Sequence, residues 1–430
     1  MTKVLCVTIQ YPPHHLGGYE VSCRDVMSRL VARGHQVTVL TSDFRLAGVE
    51  DPPDERDGRT PDGVAVRRDL RLYFRDDQLW SPSVLTRLSV ERTNQAALRQ
   101  ALDAAQPEVV SVWHLGAVSL GIVSTLVESG LPLVYGISDD WLTYSPVLDA
   151  WSRGFRQRPK MAAIVKALCR VPTRVPDLGR SGSFCFISEF TRQRAEEFTP
   201  WTFGDSTVVY SGIDRTLYPP PPDLAAAADA AADRPWRGRL LYVGRYDPRK
   251  GIETLLAAMP LLPDMTLEVQ GKGDEGYRRR LEQQVADLGI ADRVVFGSAR
   301  REELADRYRD ADAVVFPSEW DEPFGLVPAE AMSCGTPVAA TGQGGSAEFL
   351  FDGINCVRFE AGNVADLAAA VRRLEASPEL RRRVVQGGFV TAADFDVEHL
   401  TDAFEAWHTA AAARFKDGRP AQRRLGVAPA

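Results

Sequence analysis

The chain has 430 residues, 44% of them hydrophobic and 25% charged, a composition that builds packed globular domains and excludes collagen-like or wholly disordered structure. At roughly 100–200 residues per domain, that length predicts two or three domains rather than one large core. A formal charge of −7, from 58 acids against 51 bases, excludes an overall basic field for nucleic acid, though a local basic patch is compatible with it.

From the N-terminus, short apolar runs bounded by turn residues alternate with longer helical patterns, as in a parallel sheet with crossover helices. The predicted strands of the first half are 3–9, 36–41, 64–68, 108–114, 133–137, 183–187 and 207–210. Helices are predicted at 20–33, 82–105, 117–129 and 189–198, the second capped by Ser81 with Pro82 in its first turn. Tyr218 precedes four prolines and then 223–235, an Ala/Asp-rich stretch without apolar periodicity that reads as a linker and hinge. The alternation restarts with strands 240–243, 266–270, 293–296, 313–316, 337–339 and 356–358, and closes with helices at 364–376, 379–387 and 397–414. The predicted division is an N-terminal α/β domain at 1–222, a linker at 223–236, a C-terminal α/β domain at 237–395, a final helix at 396–415 and a disordered tail at 416–430.

Six cysteines, at positions 6, 23, 169, 185, 334 and 356, form no C-x-x-C pair and no zinc-ligand spacing, so neither a disulfide framework nor a metal site is expected. The apolar run at 4–9 is too short for a signal segment, and no stretch of roughly 18 apolar residues occurs. A cytoplasmic protein is expected. One segment departs from the overall acidity: 151–180 carries Arg153, Arg156, Arg158, Lys160, Lys166, Arg170, Arg174 and Arg180 against Asp177 alone. Its helical part either lies on an anionic membrane surface, in which case the protein is peripheral at the inner membrane face, or grips an anionic acceptor, or is a solvated face.

Three turns are candidates for chemistry. Tyr11 to Glu20 follows the first strand and leads into a helix, and its pair Gly17 and Gly18 would let backbone N–H groups approach a phosphate there. The dinucleotide pattern G-x-G-x-x-G is absent from this turn, which argues against a nicotinamide or flavin enzyme. The second turn, Gly244 to Gly251, follows the first strand of the second half and brings Arg245 and Lys250 to a strand end, a cation pair suited to a diphosphate. Gln270 to Asp274, with Lys272, is a similar glycine turn and equally a structural one. The third turn holds Glu322 and Glu330 on either side of a helix start. Gly325 and the residues after it supply free N–H groups to an anion, Pro328 is tolerated in the first turn, and Glu330 sits one turn inward, placed for vicinal hydroxyls.

Taken in order, Gly17-Gly18, Arg33-Gly34-His35 with the strand at 37–39, Ser211-Gly212-Ile213-Asp214, Gly244-Arg245 with Lys250, Glu322 with Glu330, and Gly344-Gly345 with Glu348 resemble the motifs of the retaining family 4 glycosyltransferases. The resemblance spans about residues 3–410 and implies the GT-B fold, an α/β architecture of two Rossmann-like doubly wound domains facing across a cleft. It further implies that the second domain holds a nucleoside diphosphate sugar and the first an acceptor. By the same resemblance Arg245 and Lys250 neutralise the diphosphate, Glu330 binds ribose, and Glu322 meets the donor sugar. Gly244, Phe324, Gly325 and Leu326 contribute to the donor site, Gly17 and Gly18 close on the phosphate, and helix 397–414 packs back on the first domain.

The physical reading is consistent with transfer: cations and helix N–H groups stabilise a departing diphosphate without a metal, and no cofactor is expected beyond the nucleotide-sugar substrate. The resemblance implies retention, and since no carboxylate nucleophile is identified, the family's front-face, ion-pair-like route is favoured. The chain departs from the family at Ser138, which stands where many relatives have His, so Asp139 or His114 would carry that role. His114, at the end of its strand, is either a cleft residue or a polar strand terminus. Ser211 and Cys356 replace a common Asn and a common Gly. The expected activity is hexose transfer, from UDP or alternatively GDP sugars, to a hydroxyl or amine of a glycan, glycolipid or small metabolite. The alternatives are a nucleotide-sugar epimerase and a non-catalytic nucleotide-sugar-binding protein on the same scaffold.

Overall fold

A computed structural model of the protein describes residues 1–46, 48–50, 58–75 and 78–416. They form two compact units: Met1–Tyr210 together with the chain from Leu400 onward, and Ser211–His399. The tail predicted as disordered lies, from residue 417, outside the described residues.

In the first unit the chain runs β1 (Lys3–Val7), α1 (Gly18–Ala32), β2 (Gln36–Ser42), β3 (Ala65–Leu70), a short hairpin of β4 (Phe74–Arg75) and β5 (Gln78–Leu79), α2 (Val84–Ala105), β6 (Val109–Val112), α3 (Gly121–Glu128), β7 (Leu133–Ile137), α4 (Trp141–Leu148), α5 (Pro159–Cys169), β8 (Ser183–Phe186), α6 (Glu189–Phe198) and β9 (Ser206–Val208). Seven strands form one parallel sheet in the order β3-β2-β1-β6-β7-β8-β9. Helices cover both faces, so β1, β6, β7 and β8 are almost wholly buried, which is why they read as unbroken apolar runs. The strand order reverses between β1 and β6, and the loops leaving these two strands diverge at the carboxyl edge.

Two local expectations change. The cap of α2 is Ser83, whose hydroxyl accepts the Thr86 amide at 3.3 Å, rather than Ser81, and the helix begins two residues later than predicted. The third predicted helix, 117–129, shortens to Gly121–Glu128.

The second unit runs α7 (Leu224–Asp233), β10 (Arg239–Val243), α8 (Ile252–Ala258), β11 (Thr266–Gln270), α9 (Glu275–Asp287), β12 (Val294–Gly297), α10 (Leu304–Asp310), β13 (Ala313–Phe316), α11 (Leu326–Ser333), β14 (Val338–Ala340), β15 (Val357–Arg358), α12 (Val364–Ala376), α13 (Pro378–Asp394) and the start of α14 (Val397–Lys416). Its six-stranded parallel sheet has the order β12-β11-β10-β13-β14-β15, reversing between β10 and β13. The predicted linker is helix α7 instead. Alanine has the highest helix propensity, and Ala228 and Ala232, four apart, are small enough to bring α7 close to Val385 and Phe389 of α13. Arg381 fastens it, donating to the carbonyls of Ala231 at 3.1 Å and Ala232 at 2.8 Å. The boundary also moves to Tyr210/Ser211: the Ile213 amide donates to the Phe395 carbonyl at 2.8 Å, and the Val397 amide returns to the Ile213 carbonyl at 3.0 Å. Helix α13 runs through Gly387 because a side chain there would meet the Ile354 carbonyl oxygen at 2.1 Å, so this glycine permits close packing rather than ending the helix.

From Leu400 the last helix belongs to the first unit. Leu400, Phe404 and Ala411 join the core formed by Val4, Val26, Trp113 and Val134, with the Phe404 ring stacked on Trp113 at 4.8 Å. Arg33 and His35 from the turn between α1 and β2 hold the same helix: Arg33 forms ion pairs with Asp402 and Glu405 at 2.7 Å each, and His35 Nε2 lies in hydrogen-bond reach of Glu405 Oε1 at 2.9 Å. Removing the Phe404 ring leaves a cavity on Trp113. Phe404→Ala is expected to cost about 3–5 kcal/mol in urea unfolding followed by tryptophan fluorescence; a loss within 0.5 kcal/mol would mean that α14 contributes little to this core.

Candidate active site

The candidate residues gather at the carboxyl edges of the two sheets, beside the strand-order reversals. In the second unit β10 delivers the loop of Arg245 and Lys250, and β13 delivers the loop of Glu322. Gly251 makes the first loop possible: its φ is +67°, and a Cβ would stand 1.9 Å from the Pro317 carbonyl oxygen, so the two loops touch backbone to backbone. The Glu319 amide donates to the Arg249 carbonyl at 2.9 Å, and the Gly345 amide to the Glu322 carbonyl at 2.6 Å, which clamps the Glu322 loop from both sides.

Held this way, Lys250 Nζ lies 2.6 Å from Glu322 Oε1, and Ser318 Oγ donates to the same oxygen at 2.7 Å. The pair is nearly buried, with side chains 15% and 6% exposed. A lysine ammonium has three donors, so Lys250 retains capacity for an anion beyond Glu322. The Trp320 ring backs it, 5.1 Å from Lys250 Nζ and 4.6 Å from the Arg249 guanidinium carbon. Arg245 is exposed and forms no side-chain ion pair among the described residues.

Helix α11 starts beside this pair, capped by Gly325 with φ +94° and with no side-chain acceptor on its first amides. Those of Leu326 and Val327 precede the first intrahelical bond, which suits them to an anion. Glu330 lies one turn along, buried, with Oε2 accepting the Tyr308 hydroxyl at 2.7 Å. Gly244 directs its amide to the Gln270 carbonyl at 3.0 Å. The Phe324 side chain is not at the site: it packs against Phe349 at 4.9 Å and Phe395 at 5.0 Å.

The first unit has its own polar cluster. At the end of β6, His114 stands between two carboxylates, with Nδ1 3.4 Å from Glu20 Oε1 and Nε2 3.3 Å from Asp139 Oδ2. Tyr144 completes it, its hydroxyl 3.0 Å from His114 Nε2 and donating to Asp139 Oδ2 at 3.2 Å. Asp139 is oriented by the Trp141 amide at 3.0 Å, and Tyr19 stacks on the His114 ring at 5.2 Å. Burial opposes charge on the ring, but the two carboxylates outweigh it and push the imidazole up to about 10 from an ordinary 6.5. Burial likewise raises Glu20, and His114 overcomes it, holding the carboxyl below its usual range.

This cluster revises the reading of the glycine pair. Gly17 is the residue before α1 in extended backbone, and its amide is already taken by Glu20 Oε2 at 3.1 Å, so it is not free for a phosphate. Gly18 is the first residue of α1. Ser138 is half-buried beside Asp139, and its hydroxyl makes no hydrogen bond among the described residues. Glu20, Tyr144, Ser318 and Tyr308 were not singled out as site residues in the sequence. For Glu20 a signal existed, a carboxylate three residues after the residue that caps the helix.

Two open α/β units, each with cations or carboxylates at its strand-order reversal, define a scaffold that binds ligands at sheet edges. Residues 16–217 match the model of Glycosyltransferase Family 4, and residues 235–389 match that of Glycosyl transferases group 1. The D-inositol 3-phosphate glycosyltransferase of Thermomonospora curvata is 36% identical over 391 residues, 86% of this chain and 85% of that one. The enzyme of the same name from Geodermatophilus obscurus is 38% identical over 224 residues, a match spanning 48% of this chain and about half, 47%, of that relative. Among solved structures, sucrose-phosphate synthase from Thermosynechococcus elongatus superposes with a TM-score of 0.69 at 22% identity, covering 96% of this chain and all of that one, which gives the fold as GT-B. The chain belongs to the family 4 glycosyltransferases.

The His114 cluster has a signed consequence. Because the folded-state value is raised, the ion pairs stabilise fully below about pH 6.5 and their contribution is lost as pH rises toward 10. The stability advantage of wild type over His114→Gln, from urea unfolding at pH 6, 8 and 10, is expected to shrink steadily. An advantage that grows with pH would contradict a charged imidazole.

Proposed function

We propose that the chain transfers a hexose from a nucleoside diphosphate sugar, UDP being the favoured base and GDP the next, to a hydroxyl or amine of a glycan, glycolipid or small metabolite. The observation that carries this reading is the Lys250–Glu322 pair, 2.6 Å apart at the β10/β13 reversal, with the free amides of α11 alongside. Lys250, Arg245 and the Leu326 and Val327 amides would receive the negative charge that grows on the departing diphosphate, and preorganised donors of this kind do so without a metal. Glu330, its rotamer held by Tyr308, would accept from the vicinal ribose hydroxyls.

Transfer proceeds with retention of anomeric configuration. Glu322 shares one oxygen between Lys250 and Ser318, an arrangement that orients a carboxylate for hydrogen bonding to sugar hydroxyls rather than for attack on carbon. The leaving phosphate oxygen then takes the acceptor proton on the same face of the sugar. In the first unit the Glu20–His114–Asp139 cluster would orient the acceptor, Asp139 or the protonated His114 contributing in place of the histidine that many relatives have where Ser138 stands.

A panel of UDP, GDP, ADP, CDP and dTDP in thermal denaturation is expected to show one selective stabiliser, about 2.7 kcal/mol at a hundredfold excess over Kd. Glu330→Gln should weaken that diphosphate about 10- to 100-fold, the worth of a charged hydrogen bond. No shift by any diphosphate at millimolar concentration would overturn the donor assignment.

With the donor identified, Lys250→Met is expected to lower kcat by about 10²–10³. Because it strands a buried carboxylate, Lys250→Met with Glu322→Gln serves as the folding control. Activity should persist in EDTA, and proton NMR of the product should show retention. An isomerised sugar nucleotide in place of a glycoside, or an inverted anomer, would refute the proposal.

A further inference from the structure

Helix α5 is apolar but scarcely buried. Of its eleven residues only Ala162 is buried, and Val165 and Cys169 continue the same inward stripe at helical spacing while half-buried. A second apolar stripe, offset by one residue, faces solvent: Met161 is 39% exposed, Ile164 58% and Leu168 76%. The end of α4 adds Val147 at 58% and Leu148 at 41%, and the short turn Ser152–Phe155 lies against both helices.

Around it the exposed residues are cationic. Arg153, Arg156, Arg158, Lys160, Arg170, Arg174 and Arg180 are all exposed, and the segment's sole acid, Asp177, pairs with Arg180 at 3.6 Å. Lys166 is paired with Glu128 at 2.7 Å. The segment is firmly anchored at its base, by Asp149, which accepts the amides of Leu120, Trp151 and Ser152, and by Trp151 Nε1, which donates to the Pro172 carbonyl at 2.7 Å. An ordered helix with an uncovered apolar stripe and a basic rim, on a chain of net charge −7, has the chemistry of an interfacial anchor: aliphatic side chains enter the acyl boundary while Lys and Arg meet anionic headgroups.

We propose that α5, with the end of α4, docks the protein on an anionic lipid bilayer. The test is co-sedimentation of the full chain with vesicles of phosphatidylcholine alone and with about 30% phosphatidylglycerol, at low and high salt. Binding is expected only to the anionic vesicles and falls with salt. Ile164→Glu with Leu168→Glu should lower the bound fraction at least tenfold with circular dichroism and melting temperature unchanged, since both side chains are exposed. Arg158→Glu with Lys160→Glu should lower it by a similar factor at low salt. Absence of binding to anionic vesicles at low salt, or equal binding by wild type and the Ile164/Leu168 variant, would overturn the proposal. A concentration-dependent dimer abolished by the same variant, without vesicle binding, would also overturn it and assign the face to a second copy of the chain.

Discussion

Both units depend on one topological constraint. A strand joined to a parallel neighbour through a helix crosses over with one hand, so covering both sheet faces requires the chain to start in the middle and build outward in each direction. The first strand of each unit is therefore central, and the loops that leave it and its later neighbour part company at the carboxyl edge. The Lys250–Glu322 pair and the Glu20–His114–Asp139 cluster occupy those two partings. Lys250 and Glu322 are 72 residues apart in the chain but meet because β10 and β13 are adjacent. Glu20 and His114, 94 apart, meet because β1 and β6 are adjacent.

The two clusters are electrostatically distinct. In the second unit a cation and a carboxylate neutralise one another, and the exposed guanidinium of Arg245 and the N-terminus of α11 leave the surroundings receptive to negative charge. In the first, two carboxylates bracket one imidazolium, and the excess is negative.

Much of the fold was legible because burial on both sheet faces makes strands continuous apolar runs; β11 and β13 coincide with their predicted limits, as do α6 and α12. Helix α7 was hidden because alanine-rich segments lack contrast between buried and exposed faces. Glycines misled in two ways. Gly387 sits within α13 because of what passes beside it, and Gly17 gives its amide to a carboxylate of its own helix. The residue types at the donor side were readable from their turns, but their partners were not. Nothing local in the sequence pairs Tyr308 with Glu330 or Tyr144 with His114, since those contacts arise from packing between elements. The motif Arg33-Gly34-His35 was visible without a role, and its task is to hold α14.

That last helix has a consequence for biosynthesis. The chain leaves the first unit at Tyr210, completes the second, and only then returns at Leu400 to cover Trp113 and Val134. While residues 211–399 are being made, the first unit lacks the residues of α14 that complete its core. The unit begun before the second is thus completed after it, and Trp113 keeps an uncovered face until Phe404 has been made.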